Sequence, residues 1–194
     1  MRAAALCALS ALLLGCNAST SPTAAVGPAS ASRIGPVITP GAAPAPIHGD
    51  YGPFACSDYA ANSSGTANVT AVRVTNPSGY DEFVLQFDAP VPSYSVKRQT
   101  KPIFTQSPSG QPITLSGTSG VLVSVNNARA ANTYAGDTDF TNANFAILKE
   151  ARLVEDFEGH LQWGLGLSTP ACMRVTVVPT NPWRIVIDFQ TPSS

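Results

Sequence analysis

Between His160 and Leu167 polar or bare positions and apolar positions alternate without a break. Leu161, Trp163, Leu165 and Leu167 fall on one side and His160, Gln162, Gly164 and Gly166 on the other, so a period of two predicts a β-strand with one buried face. Glu158 and Gly159, just ahead of it, read as an acidic turn. The polar side is nearly bare at its two glycines. Glycine inside a strand marks the close approach of a ligand or of another backbone. The strip His160, Gln162, Gly164, Gly166 is therefore the candidate ligand-binding surface, with His160 and Gln162 placed to hydrogen-bond the hydroxyls of a glycan. The competing occupant of the strip is a neighbouring strand or loop.

The same periodicity recurs on both sides of this element. Val72 and Val74 in the segment 69–75, then Phe83, Leu85 and Phe87, then Tyr94 and Val96, mark three strands, with the turn Asn76 to Gly79 and the prolines Pro90 and Pro92 as punctuation. A short strand is expected around Ile113 and Leu115, and Val121, Val123 and Val125 mark the strand richest in β-branched residues. Residues 145–155 show no clean stripe at helical spacing and read as a strand, whereas 128–144 give no readable period. At the end of the chain Met173, Val175 and Val177 face Trp183, Ile185, Ile187 and Phe189 across the turn Pro179 to Pro182, a hairpin in which Arg174 opposes Asp188. About seven or eight short strands with little helix predict an all-β, two-sheet antiparallel β-sandwich. Trp163 and Trp183 each lie in phase with aliphatic neighbours and are expected in the core.

The first residues follow a different pattern. Met1-Arg2 and the apolar run Ala3 to Gly15 have the length of a signal-peptide core rather than of a membrane span, so residues 1–15 are expected to be a signal peptide. Leu13-Leu14-Gly15-Cys16 resembles a bacterial lipobox, which makes Cys16 the expected lipidation site and the membrane the first partner; cleavage near Ala18 with plain secretion is the alternative. Residues 16–48 are rich in Pro, Ala and Ser, with Arg33 the only charge, a composition expected to act as a tether. As coil it would span about 30 Å and as polyproline II about 90 Å. Residues 49–194 then form the folded domain.

Charge and cysteine content narrow the partners. With a net charge of −1 and 12% charged residues there is no basic stripe, which excludes a nucleic-acid partner held through phosphates. Lys97, Arg98 and Lys101 read as a solvated strand end. Cys56 and Cys172 are the cysteines outside the leader, and in an oxidising compartment a disulfide between them is expected. Asp137 and Asp139 hint at an ion, but the full spaced calcium loop is missing and no metal or cofactor is assigned. Neither a zinc-binding His-Glu-x-x-His nor a Gly-x-Ser-x-Gly elbow occurs, and Glu155, Asp156 and Glu158 crowd one stretch instead of spanning a cleft. No catalytic residue is assigned.

Three blocks carry a family resemblance. Tyr80-Asp81 with Val91-Pro92-Ser93-Tyr94, then Phe157-Glu158-Gly159 with Trp163 and Gly166-Leu167, then Arg184 to Phe189, resemble in order and spacing the AMIN-like domain of secreted and lipid-anchored bacterial proteins, over roughly Val69 to Phe189. The Cys56 and Cys172 pair lies outside that pattern. The resemblance implies a β-sandwich related to the AMIN domains that target envelope amidases and secretins to the cell wall, without catalysis of its own. The reading from sequence is thus a non-catalytic envelope lipoprotein that binds a cell-wall or other envelope component. A small hydrolase acting on envelope glycan and a protein-interaction scaffold are its alternatives.

Overall fold

A computed structural model describes residues 52–77, 79–131 and 133–192. The leader, Cys16 and the tether lie outside the described residues, as does His48. Thirteen strands follow one another: β1 (Tyr59–Ala61), β2 (Ala67–Thr75), β3 (Tyr80–Phe87), β4 (Tyr94–Gln99), β5 (Ile103–Gln106), β6 (Gln111–Thr114), β7 (Ser119–Asn126), β8 (Ala128–Arg129), β9 (Asp139–Thr141), β10 (Leu148–Phe157), β11 (His160–Leu167), β12 (Met173–Val178) and β13 (Trp183–Gln190). A six-stranded sheet runs β1-β4-β7-β11-β10-β9 and a five-stranded sheet β12-β13-β3-β2-β8, while β5 and β6 form a separate hairpin. All pairings are antiparallel except the short parallel contact of β2 with β8. The count exceeds the expected seven or eight because β1, β5, β8 and β9 have two to four residues each, too few for a period to show.

The two large sheets bury their predicted apolar faces against each other. Phe83, Leu85 and Phe87 of β3 and Ile185, Ile187 and Phe189 of β13 meet Val121, Val123 and Val125 of β7 and the odd positions of β11 in one core. Trp163, fully buried, stacks obliquely on Phe83 at 5.6 Å and on Phe140 at 6.1 Å between ring centres. Trp183 is only half buried at the start of β13. The hairpin of β12 and β13 has the expected register, with Arg174 opposite Asp188, and the guanidinium binds that carboxylate through Nε at 2.8 Å and Nη2 at 2.7 Å.

Two strands break the alternation. In β2, Val69 pairs with Phe87 and Ala71 with Gln86, so Thr70 is an extra residue that switches the inward set from Ala67 and Val69 to Val72 and Val74. Asp88 fastens this bulge: its carboxylate accepts the Asn68 backbone N–H at 2.7 Å and the Asn68 amide at 2.9 Å. Those two bonds, the backbone one foremost, hold its pKa below the usual 3.8. In β10 the register slips between Leu148 and Glu150 and again between Leu153 and Glu155. The second slip turns Val154 away from the main core, which is why 145–155 carry no simple period.

Cys56 is bonded to Cys172, with Cα atoms 4.3 Å apart, closing a loop of 116 residues. Ala55 and Met173 exchange backbone hydrogen bonds of 2.8 and 3.0 Å beside it, and the Phe54 ring lies 4.7 Å from the Arg174 guanidinium. The bond thus pins the chain entering the domain to edge strand β12. Replacing both cysteines with serine is expected to cost about 2–5 kcal/mol. Urea unfolding of the double variant measures it, and free thiols at both positions in the native protein would overturn the pairing.

Candidate functional site

β11 lies in the middle of the six-stranded sheet, and its approach is set by a two-residue turn. Glu158 and Gly159 have φ of 49° and 81°, the left-handed pair that a type I′ hairpin requires. That turn pairs Phe157 with His160 and fixes which side chains of β10 and β11 face outward. Leu161, Trp163, Leu165 and Leu167 all point into the core.

The outward side is divided, and here the sequence expectation of an open strip is corrected. Gly164 and Gly166 are buried. The hairpin β5–β6 and the segment after it lie over them. A Cβ on Gly164 would stand 2.8 Å from the Phe104 ring and 3.1 Å from Leu115, and one on Gly166 would overlap the Ser116 carbonyl oxygen. Gly120, the cross-strand partner of Gly166, is crossed in the same way by Phe104 and Pro102. Phe104, Leu115 and the bulged Val154 make a second small core there, with Ile113 and Leu122 at its margin. The carboxylate of Glu150 fastens the covering segment by accepting the Ser116 N–H and hydroxyl, each at 2.8 Å. The glycines therefore make room for the covering segment, its side chains over Gly164 and its backbone over Gly166, and no polymer can lie against them.

This seat makes a prediction. Gly166→Ala is expected to destabilise the domain by about 1–3 kcal/mol or more, since the obstacle is backbone, and Gly164→Ala by less, since a ring can shift. Equal stability of Gly166→Ala and the parent in urea would refute the close approach.

His160 and Gln162 stay outside the cover. His160 is exposed and its Nδ1 lies 3.0 Å from the Asn126 Oδ1, so it donates there. Gln162 is paired with Ser124 of β7 on one side and Glu155 of β10 on the other, and Ser124 with Ser95 of β4. Ser95, Ser124, Gln162 and Glu155 thus form a half-buried polar row across four strands, spaced about 4.8 Å apart by the sheet. Beside the row stands Phe157, 48% exposed, one of the two large hydrophobic side chains on the surface of the described residues. Ser95 and Ser124 were not singled out from sequence, and Phe157 only as part of the family block, because strand register alone brings the serines beside Gln162 and Phe157 beside His160.

The remaining candidates separate. Asp156 turns inward and caps the next segment, accepting the N–H groups of Ala130 at 3.1 Å and Ala131 at 2.7 Å. Glu155 lies on the outer row and Glu158 in the turn, so the three carboxylates do not converge. Asp139 is bound to Arg152 at 2.6 Å, and the Asp137 carbonyl accepts the Tyr134 hydroxyl, whose pKa is raised by burial and by the Asp137 charge. Among the described residues no three metal-ligating side chains gather. Lys97 and Arg98 point to opposite faces of β4: Lys97 opposes outward Leu122, and Arg98 opposes inward Val121.

A family model described as AMIN-like domain matches residues 67–191, from the first residue of β2 to just past β13. Cys56 precedes the matched region, so the disulfide ties it to a flanking segment. No curated protein matches the chain. With more than half its length matched, the chain belongs to the AMIN-like domain family, whose members occur in extracytoplasmic envelope proteins and are generally non-catalytic binding modules.

Proposed function

We propose that this chain is a non-catalytic envelope lipoprotein, anchored through Cys16 and held off the membrane by residues 16–48, whose domain 49–194 binds cell-wall glycan. The observation that carries the reading is the polar row Ser95, Ser124, Gln162 and Glu155 on the uncovered part of the six-stranded sheet, flanked by exposed Phe157. Hydroxyl, amide and carboxylate groups held on adjacent strands present alternating donors and acceptors to sugar hydroxyls, and an exposed ring offers an apolar face to a pyranose. A rigid sheet holds them without an ordering cost at the moment of binding.

Sedimentation with purified cell wall tests it. The parent is expected to sediment, and the Ser124→Ala/Gln162→Ala pair and Phe157→Ser to lose most of that binding. Because these side chains are at the surface, the thermal midpoint is expected to move by only about 2 °C. A parent that stays in solution, or variants that sediment like it, would defeat the glycan reading. Release of soluble fragments from labelled wall would favour a hydrolase instead. The anchor is tested separately, by mass spectrometry of the membrane fraction for a lipid-modified Cys16.

A further inference from the structure

Where β4, β7 and the end of β11 meet the segment Pro170–Ala171, a cleft of about 320 Å³ opens to solvent, the size of a small-ligand pocket. Its floor is Val121 and Leu167, and the segment Pro170–Ala171, which leads to the disulfide, forms a wall. Ser119 and Arg98 bring the polar chemistry, with Gln99 and Thr100 at the margin. Ser119 is paired with inward Leu167 and so also faces between the sheets. It is only 2% exposed, and its hydroxyl has no hydrogen-bond partner among the described residues. A buried hydroxyl without a partner costs free energy, so its placement on a ligand-sized cleft calls for a polar group inside.

Arg98 is Val121's cross-strand partner, and Ser119 lies two residues from Val121 on the same face. Such diagonal neighbours have Cα atoms about 7–8 Å apart, within reach of an arginine side chain. The Arg98 side chain is 43% exposed and meets Asp58 through Nε at 3.5 Å. No other carboxylate among the described residues lies within ion-pair distance of it, so the fork formed by its two Nη atoms remains available. The planar end of that fork matches a carboxylate. Asp58 offsets part of the positive charge and the surrounding walls are largely apolar, both of which disfavour a doubly charged phosphate.

We propose that this cleft binds the terminal carboxylate of a short peptide with alanine-sized side chains. Arg98 pairs with the carboxylate, the Ser119 hydroxyl hydrogen-bonds an oxygen of the ligand, and Val121, Leu167, Pro170 and Ala171 receive its methyl groups. This site lies apart from the outer polar row and does not depend on the glycan reading.

N-acetyl-alanyl-alanine as the free acid and as the C-terminal amide, titrated into the full chain by calorimetry and by amide NMR shifts, tests it. The acid is expected to bind saturably and to shift the signals of Ser119 to Val121, with the amide weaker by roughly tenfold or more. Arg98→Gln is expected to lose a similar factor and Ser119→Ala several-fold, both with the parent's amide spectrum elsewhere. Lys97→Gln, on the opposite face of β4, is expected to bind as the parent does. The L,L and D,D acids distinguish a protein C-terminus from a cell-wall peptide as the source. No saturable binding of either acid, equal binding of acid and amide, undiminished binding by Arg98→Gln, or inorganic phosphate binding as tightly as the peptide would overturn the proposal. If Arg98→Gln fails to fold, Arg98→Lys takes its place, with a lesser loss expected because an ammonium cannot form the fork.

Discussion

Trp163→Ala is expected to destabilise the domain by about 3–5 kcal/mol, within the range for emptying a buried aromatic site. The indole is fully buried between Phe83 of one sheet and Phe140 of the other, so its removal opens a void where the two layers meet. Its Nε1 has no hydrogen-bond partner among the described residues. Trp163→Phe therefore keeps much of the ring packing and gives up no hydrogen bond, and is expected to cost well under half as much. Urea unfolding of the two variants makes the comparison. Equal losses would show that the indole nitrogen matters after all, and strong quenching of Trp163 fluorescence by iodide in the native protein would contradict its burial.

Asp81→Ala is the second large effect, expected at about 3 kcal/mol or more. Asp81 opens β3 on the inward side and is completely buried, yet no cation is needed to explain it. Its Oδ2 accepts the backbone N–H groups of Ile147 at 2.6 Å and Leu148 at 2.8 Å, and its Oδ1 accepts the Asn76 amide. The carboxylate thus docks the start of β10, in one sheet, on the start of β3, in the other. Alanine leaves two buried N–H groups without an acceptor, each a penalty of about 1–3 kcal/mol. The variant Asp81→Asn keeps one acceptor oxygen, so a smaller loss is expected. Hydrogen exchange of the Ile147 and Leu148 amides reads the effect locally. Unchanged protection of both in Asp81→Ala would refute this role.

Much of this architecture was legible in the order of residues. The strands of six residues or more show a period of two, apart from the slips in β2 and β10 and the charged end of β4, because one side faces a common core and the other does not. The hairpin of β12 and β13 was readable down to its register, since a slip of one residue would have turned Ile185, Ile187 and Phe189 outward. Bulges at Thr70 and Val154 were not readable. An extra residue changes the inward parity, and only the partner strand decides where it is inserted.

The glycines of β11 mark the dividing line. Sequence alone determined that Gly164 and Gly166 stand opposite the core face and that something must come close to them, because a missing Cβ in a strand is stable only where the space is used. What fills that space was decided by tertiary structure. Phe104, Leu115 and Ser116 lie about fifty to sixty residues earlier in the chain, on and just after a hairpin whose strands have four residues each, too short to show a period. The burial of Phe104 and Leu115 depends on the shape of the groove offered by three glycines on two adjacent strands, a property of the paired sheet rather than of either strand. For the same reason the polar row beside Gln162 and the cleft between Arg98 and Ser119 exist only in the fold. Each joins residues from different strands, and strand pairing sets which of them share a face.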